Sequence, residues 1–247
     1  MKKIIVANWK MNPVSKAKML SLSGALSRGL KKNNAEVVVC APNVYLPLIN
    51  NKSAFKLGAQ DCFWEKEGAF TGQVSVGMLS DLGVKYVLCG HFEKRMFGET
   101  DADVNKKIKA VLTAGMTPIL CVGESGEQRK KRQTFSVIEK QIKQGLNKIP
   151  KQQISKVMIA YEPIWAISPN GPCSAEEAVT IILFLRKVIG KMTNKQTANS
   201  IKILYGGSVD AQDVKSYILS DFISGVLVGR ASLSAKEFIK VVENSNV

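Results

Sequence analysis

Short apolar runs alternate along the chain with segments whose apolar residues recur at helical spacing. The runs are residues 4–7, 37–41, 55–57, 86–89, 118–122, 157–161, 201–205 and 226–228. Between them, Met19, Leu22, Leu26 and Leu30 are spaced 3, 4 and 4, and Val104, Ile108 and Val111 are spaced 4 and 3. Phe135, Ile138, Ile142 and Leu146 follow the same rule, as do Ala178, Ile182, Leu185 and Ile189. Each spacing lays one apolar stripe along a helix, whereas the short runs predict buried strands. Ser174 before Glu177 and Ser234 before Glu237 predict capping boxes, and Gly115 predicts a helix end. Eight strands alternating with helices imply an α/β fold with a parallel sheet, closed as a (β/α)8 barrel or open and doubly wound. No linker or low-complexity stretch divides the chain, so residues 1–247 are expected to form one domain.

The composition changes this picture little. Of 247 residues, 45% are hydrophobic and 22% charged, enough apolar surface for a large core. No apolar run approaches the roughly 18 residues of a membrane span. The four-residue run after Lys2-Lys3 is shorter than a signal-peptide core, so a cytoplasmic protein is expected. Five scattered cysteines without a Cys-x-x-Cys pair predict reduced thiols rather than a disulfide or zinc framework. Cys40, Cys89 and Cys121 fall in strand-like runs and read as small buried hydrophobes.

The net charge of +15 is the strongest compositional signal. Such a field attracts anions, including phosphorylated metabolites, nucleic acids and membrane surfaces. The densest run, Arg129-Lys130-Lys131-Arg132, carries no interleaved aromatics. A stacking platform for single strands is therefore not predicted, and no specific nucleic-acid partner is expected.

In a parallel α/β sheet, chemistry gathers where the strands end. There the chain places Asn8 and Lys10 after the first run and Gly90-His91 after the fourth. Glu162 follows the sixth, just before Pro163; Gly206-Gly207-Ser208 follow the seventh, and Gly229-Arg230 the eighth. A closed barrel would bring all of these to one mouth. His91 is the only histidine and sits at a possible helix start, where a neutral imidazole is favoured. With no second histidine or paired cysteines, a metal site is not expected. Glycine turns after both the seventh and the eighth strands of a barrel suit a phosphate. A Cys–His hydrolase built from Cys121 and His91 is the weaker reading, because no local nucleophile motif accompanies it.

Several motifs, in order, resemble the triosephosphate isomerase family over the whole chain. They include Ala7-Asn8-Trp9-Lys10-Met11-Asn12, Gly68-Ala69-Phe70-Thr71-Gly72, Gly90-His91-Phe92-Glu93-Lys94-Arg95, Cys121-Val122-Gly123-Glu124, Ala160-Tyr161-Glu162-Pro163, Tyr205-Gly206-Gly207-Ser208 and Leu227-Val228-Gly229-Arg230. The resemblance implies a closed eight-stranded TIM barrel and interconversion of dihydroxyacetone phosphate and D-glyceraldehyde 3-phosphate through an enediolate. It implies Glu162 as the base, His91 as the neutral imidazole that polarises the carbonyl, Lys10 as the cation and Asn8 as a donor to substrate oxygen. Backbone groups of Ser168, Ser208, Gly229 and Arg230 would hold the phosphate. A lid from Pro163 to about Cys173 would be held shut by Tyr205 and Ser208. Glu93 would support Lys10. The family also forms a homodimer through the loop around Gln60 to Gly72, with Thr71 at the contact. Its chemistry is an established worked case of tuned acidity and loop closure in enzymology.

Four departures from the family's usual pattern carry expectations of their own. Ser168-Pro169-Asn170-Gly171 replaces a glycine-rich lid tip, which predicts altered closure. Phe92 stands where a serine usually touches the glutamate, so a different resting place for Glu162 is expected. Arg230 replaces a glycine and keeps the phosphate-binding N–H only if its φ is negative. Gln73 and Lys94 replace a usual Glu and Arg near the dimer contact, and the segment from Lys94 to Glu99 looks one residue short, so an ion pair between subunits is expected to be absent.

Overall fold

The computed structural model describes residues 2–31, 33–50, 53–167, 171 and 173–246. Among them the chain runs β1 (Ile4–Asn8), α1 (Lys16–Gly29), β2 (Glu36–Ala41), β3 (Lys56–Ala59), α2 (Val76–Asp81), β4 (Tyr86–Cys89), α3 (Phe92–Met96), α4 (Asp101–Thr113) and β5 (Thr117–Val122). It continues through α5 (Gly126–Lys130), α6 (Thr134–Gly145), α7 (Lys151–Ile154), β6 (Met158–Tyr161), α8 (Ala175–Met192), α9 (Lys195–Ser200), β7 (Lys202–Tyr205), α10 (Val214–Ile218), β8 (Gly225–Val228) and α11 (Ala235–Asn244). All strand pairs are parallel, and β1 closes on β8 with Ile4 beside Gly225. The sheet is thus the closed (β/α)8 barrel, and the open doubly wound alternative is excluded.

Strand pleating sorts the side chains into two cores. Ile4, Val6, Val38, Cys40, Leu88, Ile119, Cys121, Met158, Ala160, Leu204 and Leu227 fill the barrel interior. Their neighbours Ile5, Ala7, Val39, Leu120, Ile159, Tyr161, Ile203 and Tyr205 face the helices. Successive strand residues point to opposite faces, so each inward set extends in steps of two. Continuing those steps past the strand ends reaches Asn8 on β1, Glu162 after β6, Gly206 after β7 and Gly229 after β8. The same alternation that packs the barrel therefore aims the candidate groups into its mouth.

The helices follow their stripes with local exceptions. Val104, Ile108 and Val111 are fully buried on α4, as are Ala178, Ile182, Leu185 and Ile189 on α8. Phe135 departs from its predicted stripe: it is 46% exposed and meets Phe184 edge-on. Ser174 and Ser234 cap α8 and α11, but neither capping box closes. Glu177 instead pairs with Arg129, and Glu237 accepts the Ala211 N–H. Complete boxes form at Thr100 with Asp103 and at Ser125 with Gln128. Gly115 follows α4 at φ 73°, the left-handed geometry of a helix stop. All five cysteines are buried and none forms a disulfide.

Candidate active site

Asn8, Lys10, His91, Glu162, Ser208, Gly229 and Arg230 line one cavity of about 250 Å³ at the C-terminal mouth of the barrel. Each is delivered by a strand end, and the glycines keep the floor open. A Cβ on Gly123 would meet the Glu162 carbonyl oxygen at 1.9 Å, so β5 and β6 approach this closely only with glycine there.

Glu162 is 2% exposed. Its Oε1 lies 3.5 Å from His91 Nε2, and its Oε2 accepts the Phe92 backbone N–H at 3.3 Å. The carboxylate's partner at position 92 is thus main chain, which any residue but proline supplies. This accounts for a phenylalanine where the resemblance expects a hydroxyl.

His91 is the N-cap of α3, in keeping with its place at a possible helix start. Its Nδ1 accepts the Glu93 N–H at 3.3 Å. An accepting Nδ1 carries no proton, so the neutral ring presents its N–H at Nε2, toward Glu162 and the cavity. The cap therefore selects the tautomer.

Lys10 has φ 52° and so leaves β1 through the left-handed region. Its N–H donates to Asn8 Oδ1 at 3.0 Å, and Gln60 holds its carbonyl at 2.8 Å. The ammonium pairs with Glu93 Oε1 at 2.6 Å and lies 5.1 Å above the Phe92 ring. Glu93 thus supports both Lys10 and, through its N–H, His91.

Gly229 begins the 3-10 turn Arg230–Leu233. The φ of Arg230 is not positive, so its backbone fits a side chain. Ser232 is buried and donates to Gly229 O at 2.6 Å. The Ser208 N–H is engaged with Ala166 O at 3.3 Å and reaches a bound anion only once that bond opens. Tyr205 Oη accepts the Cys173 N–H at 3.2 Å. Ser168 lies outside the described residues, as do Pro169 and Asn170.

A buried carboxylate, Glu124, sits under the start of this segment. Trp165 Nε1 donates to it at 2.8 Å and Tyr161 Oη at 3.3 Å, and Arg129 stacks over Trp165 at 4.1 Å. Burial holds its carboxyl above the usual carboxylate range. In the sequence Glu124 belongs to a motif but has no assigned role, and Gln60 marks only a loop boundary. Both follow strand ends, which is the one signal that points to them.

The Cys–His hydrolase reading fails here. Cys121 points into the barrel, where burial and then the Glu162 charge push its thiol well above the ordinary range. A nucleophile needs the thiolate, and this environment suppresses it. Among the described residues no group of three or more His, Cys, Asp or Glu could hold a metal ion, and no helix is long and apolar enough to cross a membrane.

The closed barrel, with a carboxylate, an imidazole and an ammonium at its mouth, defines an enzyme of the (β/α)8 class whose chemistry is carried by strand ends. The family model described as triosephosphate isomerase matches residues 3–245. A curated protein of that name from Alkaliphilus oremlandii is 42% identical over 245 residues, covering 98% of both chains. Another, from Endomicrobium trichonymphae, is 44% identical over 251 residues and 99% of both. A third, from Aquifex aeolicus, is 42% identical over 246 residues, 98% of this chain and 99% of its own. The chain belongs to the triosephosphate isomerase family.

Proposed function

We propose that this protein interconverts dihydroxyacetone phosphate and D-glyceraldehyde 3-phosphate, a step of glycolysis and gluconeogenesis, with Glu162 as the base. The observation that carries this reading is the facing pair: His91 Nε2 and Glu162 Oε1, 3.5 Å apart, in the cavity that Lys10 also enters. Glu162 takes a proton from C1 of the ketone, and the electron pair moves into a C1–C2 double bond as the C2 carbonyl becomes an oxyanion. His91 donates a hydrogen bond from Nε2–H to the substrate oxygens and shifts a proton between them. The Lys10 ammonium and the Asn8 side chain stabilise the enediolate charge. Glu162 then returns its proton to C2, which gives the aldehyde. Proton shuttling of this kind needs no cofactor, since the substrate carbonyl acidifies the neighbouring C–H.

The phosphate is held by backbone N–H groups of Gly229, Arg230 and Ser208, with Ser168 as the further contact the family suggests. Glycine turns and a helical turn starting at Arg230 support this placement. Tyr205 serves as a latch for the segment after Glu162, in keeping with its bond to Cys173, and Ser208 as the second once its N–H leaves Ala166.

The protein is read as a cytoplasmic homodimer of single-domain subunits, without a specific nucleic-acid or membrane partner. Support for the dimer comes from a second cavity of about 450 Å³ beside the first, lined by Lys10, Met11, Gln60, Gln73, Glu93 and Phe97. Met11 and Phe97 are 91% and 88% exposed, an unusual placement for apolar side chains in a monomer. The partner's loop, with Thr71 at its tip, is the proposed occupant. Lys94 pairs with Asp61 of its own chain at 2.8 Å, in keeping with an absent ion pair between subunits.

The test is turnover of glyceraldehyde 3-phosphate by the purified protein against Glu162→Gln. Loss of the base should lower kcat by about 10³-fold or more, with KM nearly unchanged. Equal turnover in the variant would remove Glu162 from its role, and an inactive natural chain would overturn the reading.

A further inference from the structure

Cys173 immediately precedes Ser174, the N-cap of α8, and is held at both of its backbone polar groups by tyrosines from one neighbouring unit. Its N–H donates to Tyr205 Oη at 3.2 Å, and its carbonyl accepts from Tyr217 Oη at 2.6 Å. Tyr205 ends β7 and Tyr217 lies in α10, so both belong to the strand–loop–helix unit that also carries Gly206, Gly207 and Ser208. The two rings stack with centroids 4.2 Å apart and planes 16° apart. Tyr217 is 2% exposed. A Cβ on Gly207 would fall 2.1 Å from the Tyr205 hydroxyl, so the loop itself is shaped around this contact.

The family resemblance gives a role to Tyr205 and none to Tyr217. The packing alone would accept any flat apolar ring at 217; the hydroxyl is the informative part. It is a donor at every relevant pH, because burial pushes the phenol up to about 12. The bond it makes is short and well buried, and it fixes a carbonyl just before a helix start.

We propose that Tyr217 is a positioning residue for the isomerisation: its hydroxyl clamps the Cys173 carbonyl and its ring seats Tyr205, so that the far anchor of the segment leaving Glu162 stays fixed. This rests on the isomerase reading above. The near anchor is of a different kind. Ala166 O is held by the Ser208 N–H, which the phosphate is expected to claim. The Tyr217 bond competes with no substrate group. One end of the segment can therefore release while the other holds its place, and the Ser208 loop is tied to that fixed end through Tyr205.

The experiment uses Tyr217→Phe, which keeps the ring stack and deletes one oxygen. Three readouts are compared in the full chain: kinetic constants for glyceraldehyde 3-phosphate, amide hydrogen exchange at Cys173, and Tm. The expected result is a KM raised about fivefold, kcat within about twofold, and Cys173 exchange at least about tenfold faster. Tyr205→Phe should raise KM as well, and the double variant should be no more than about twofold worse than Tyr205→Phe alone, because both hydroxyls hold one residue. A lower Tm with KM and Cys173 exchange unchanged would reduce Tyr217 to a packing role and overturn the proposal, as would fully multiplicative effects. If the natural chain does not isomerise, the functional reading fails by itself. Faster Cys173 exchange in Tyr217→Phe would then still establish the clamp, and unchanged exchange would defeat both.

Discussion

His91 faces Glu162 through Nε2 at 3.5 Å while its Nδ1 accepts the N–H of Glu93. One ring nitrogen is thus committed to capping α3, and the other is left to the cavity. The cap and the chemistry are two uses of a single side chain.

The contact between Glu162 and the Phe92 N–H predicts a difference between two substitutions. Phe92 is the first residue of α3, where proline is tolerated, and His91 already has φ −52° and ψ 141°, which suits a following proline. Phe92→Ala removes the ring and keeps the N–H; kcat/KM should stay within about threefold. Phe92→Pro deletes the N–H as well. A hydrogen bond to a charged group is worth about 1.5 kcal/mol, so a further loss of roughly tenfold is expected. Equal steady-state constants for the two variants would show that the main-chain contact does not hold the base.

Glu93→Gln should act on Lys10 and leave the cap at His91 in place. The Lys10 ammonium loses its carboxylate partner, while the N–H to His91 is untouched because it is main chain. The pair is partly exposed, and such pairs are worth little to stability. Tm should therefore move by no more than a few degrees, whereas kcat/KM should fall about tenfold as Lys10 loses its place. A variant with full activity would show that Lys10 is positioned by its backbone alone.

Glu124 gives a prediction about pH. Burial raises its carboxyl pKa in the folded chain. The folded state then binds that proton more tightly than the unfolded state does. Its contribution to stability is greatest below the unfolded carboxylate value, about 4.3, and declines as pH rises through the raised folded value. Glu124→Gln keeps an acceptor for Trp165 Nε1 and removes the titration. Urea unfolding from about pH 4 to 8 should show the natural chain losing stability relative to the variant as pH rises. Parallel curves would mean that Glu124 does not titrate differently in the two states.

The net charge of +15 predicts electrostatic steering of a phosphorylated substrate. Raising ionic strength from about 0.02 to 0.2 M shortens the range of that field. The value of kcat/KM should fall several-fold while kcat stays constant. A flat response would separate the charge from catalysis.

The site is legible in the sequence where one rule suffices. Asn8, Lys10, His91 and Glu162 all follow strand ends, and a closed parallel sheet brings strand ends together whatever the intervening helices do. The bounds of β4 coincide with its apolar run because Cys89 is followed by a glycine at φ 79°. The run at 55–57 lies too far toward the N-terminus of β3, which continues through Gly58 and Ala59, and small residues read as a turn. They are small for a reason invisible in one dimension: a Cβ on Gly58 would lie 2.5 Å from Cys40 Sγ on the adjacent strand. The capping boxes fail in the same way. Glu177 and Glu237 have the right spacing, but distant partners win over the local backbone N–H. The roles of Gln60, Glu124 and Tyr217 are not legible in the sequence because their partners are groups far away along the chain, and for Gln60 and Glu124 only the preceding strand end points to them.

Barrel closure has a consequence for how this protein comes into being. Lys3 Nζ reaches the Ser220 and Ile223 carbonyls, at 3.1 and 2.9 Å, and so ties the beginning of the first strand to the entry of the last. Lys10 and Arg230 lie on either side of that seam. A chain emerging from the ribosome exposes its imidazole and its carboxylate well before β8 exists, yet it has no enclosed mouth in which they can cooperate. Competence should arrive late and abruptly during synthesis, with the pairing of β8 against β1.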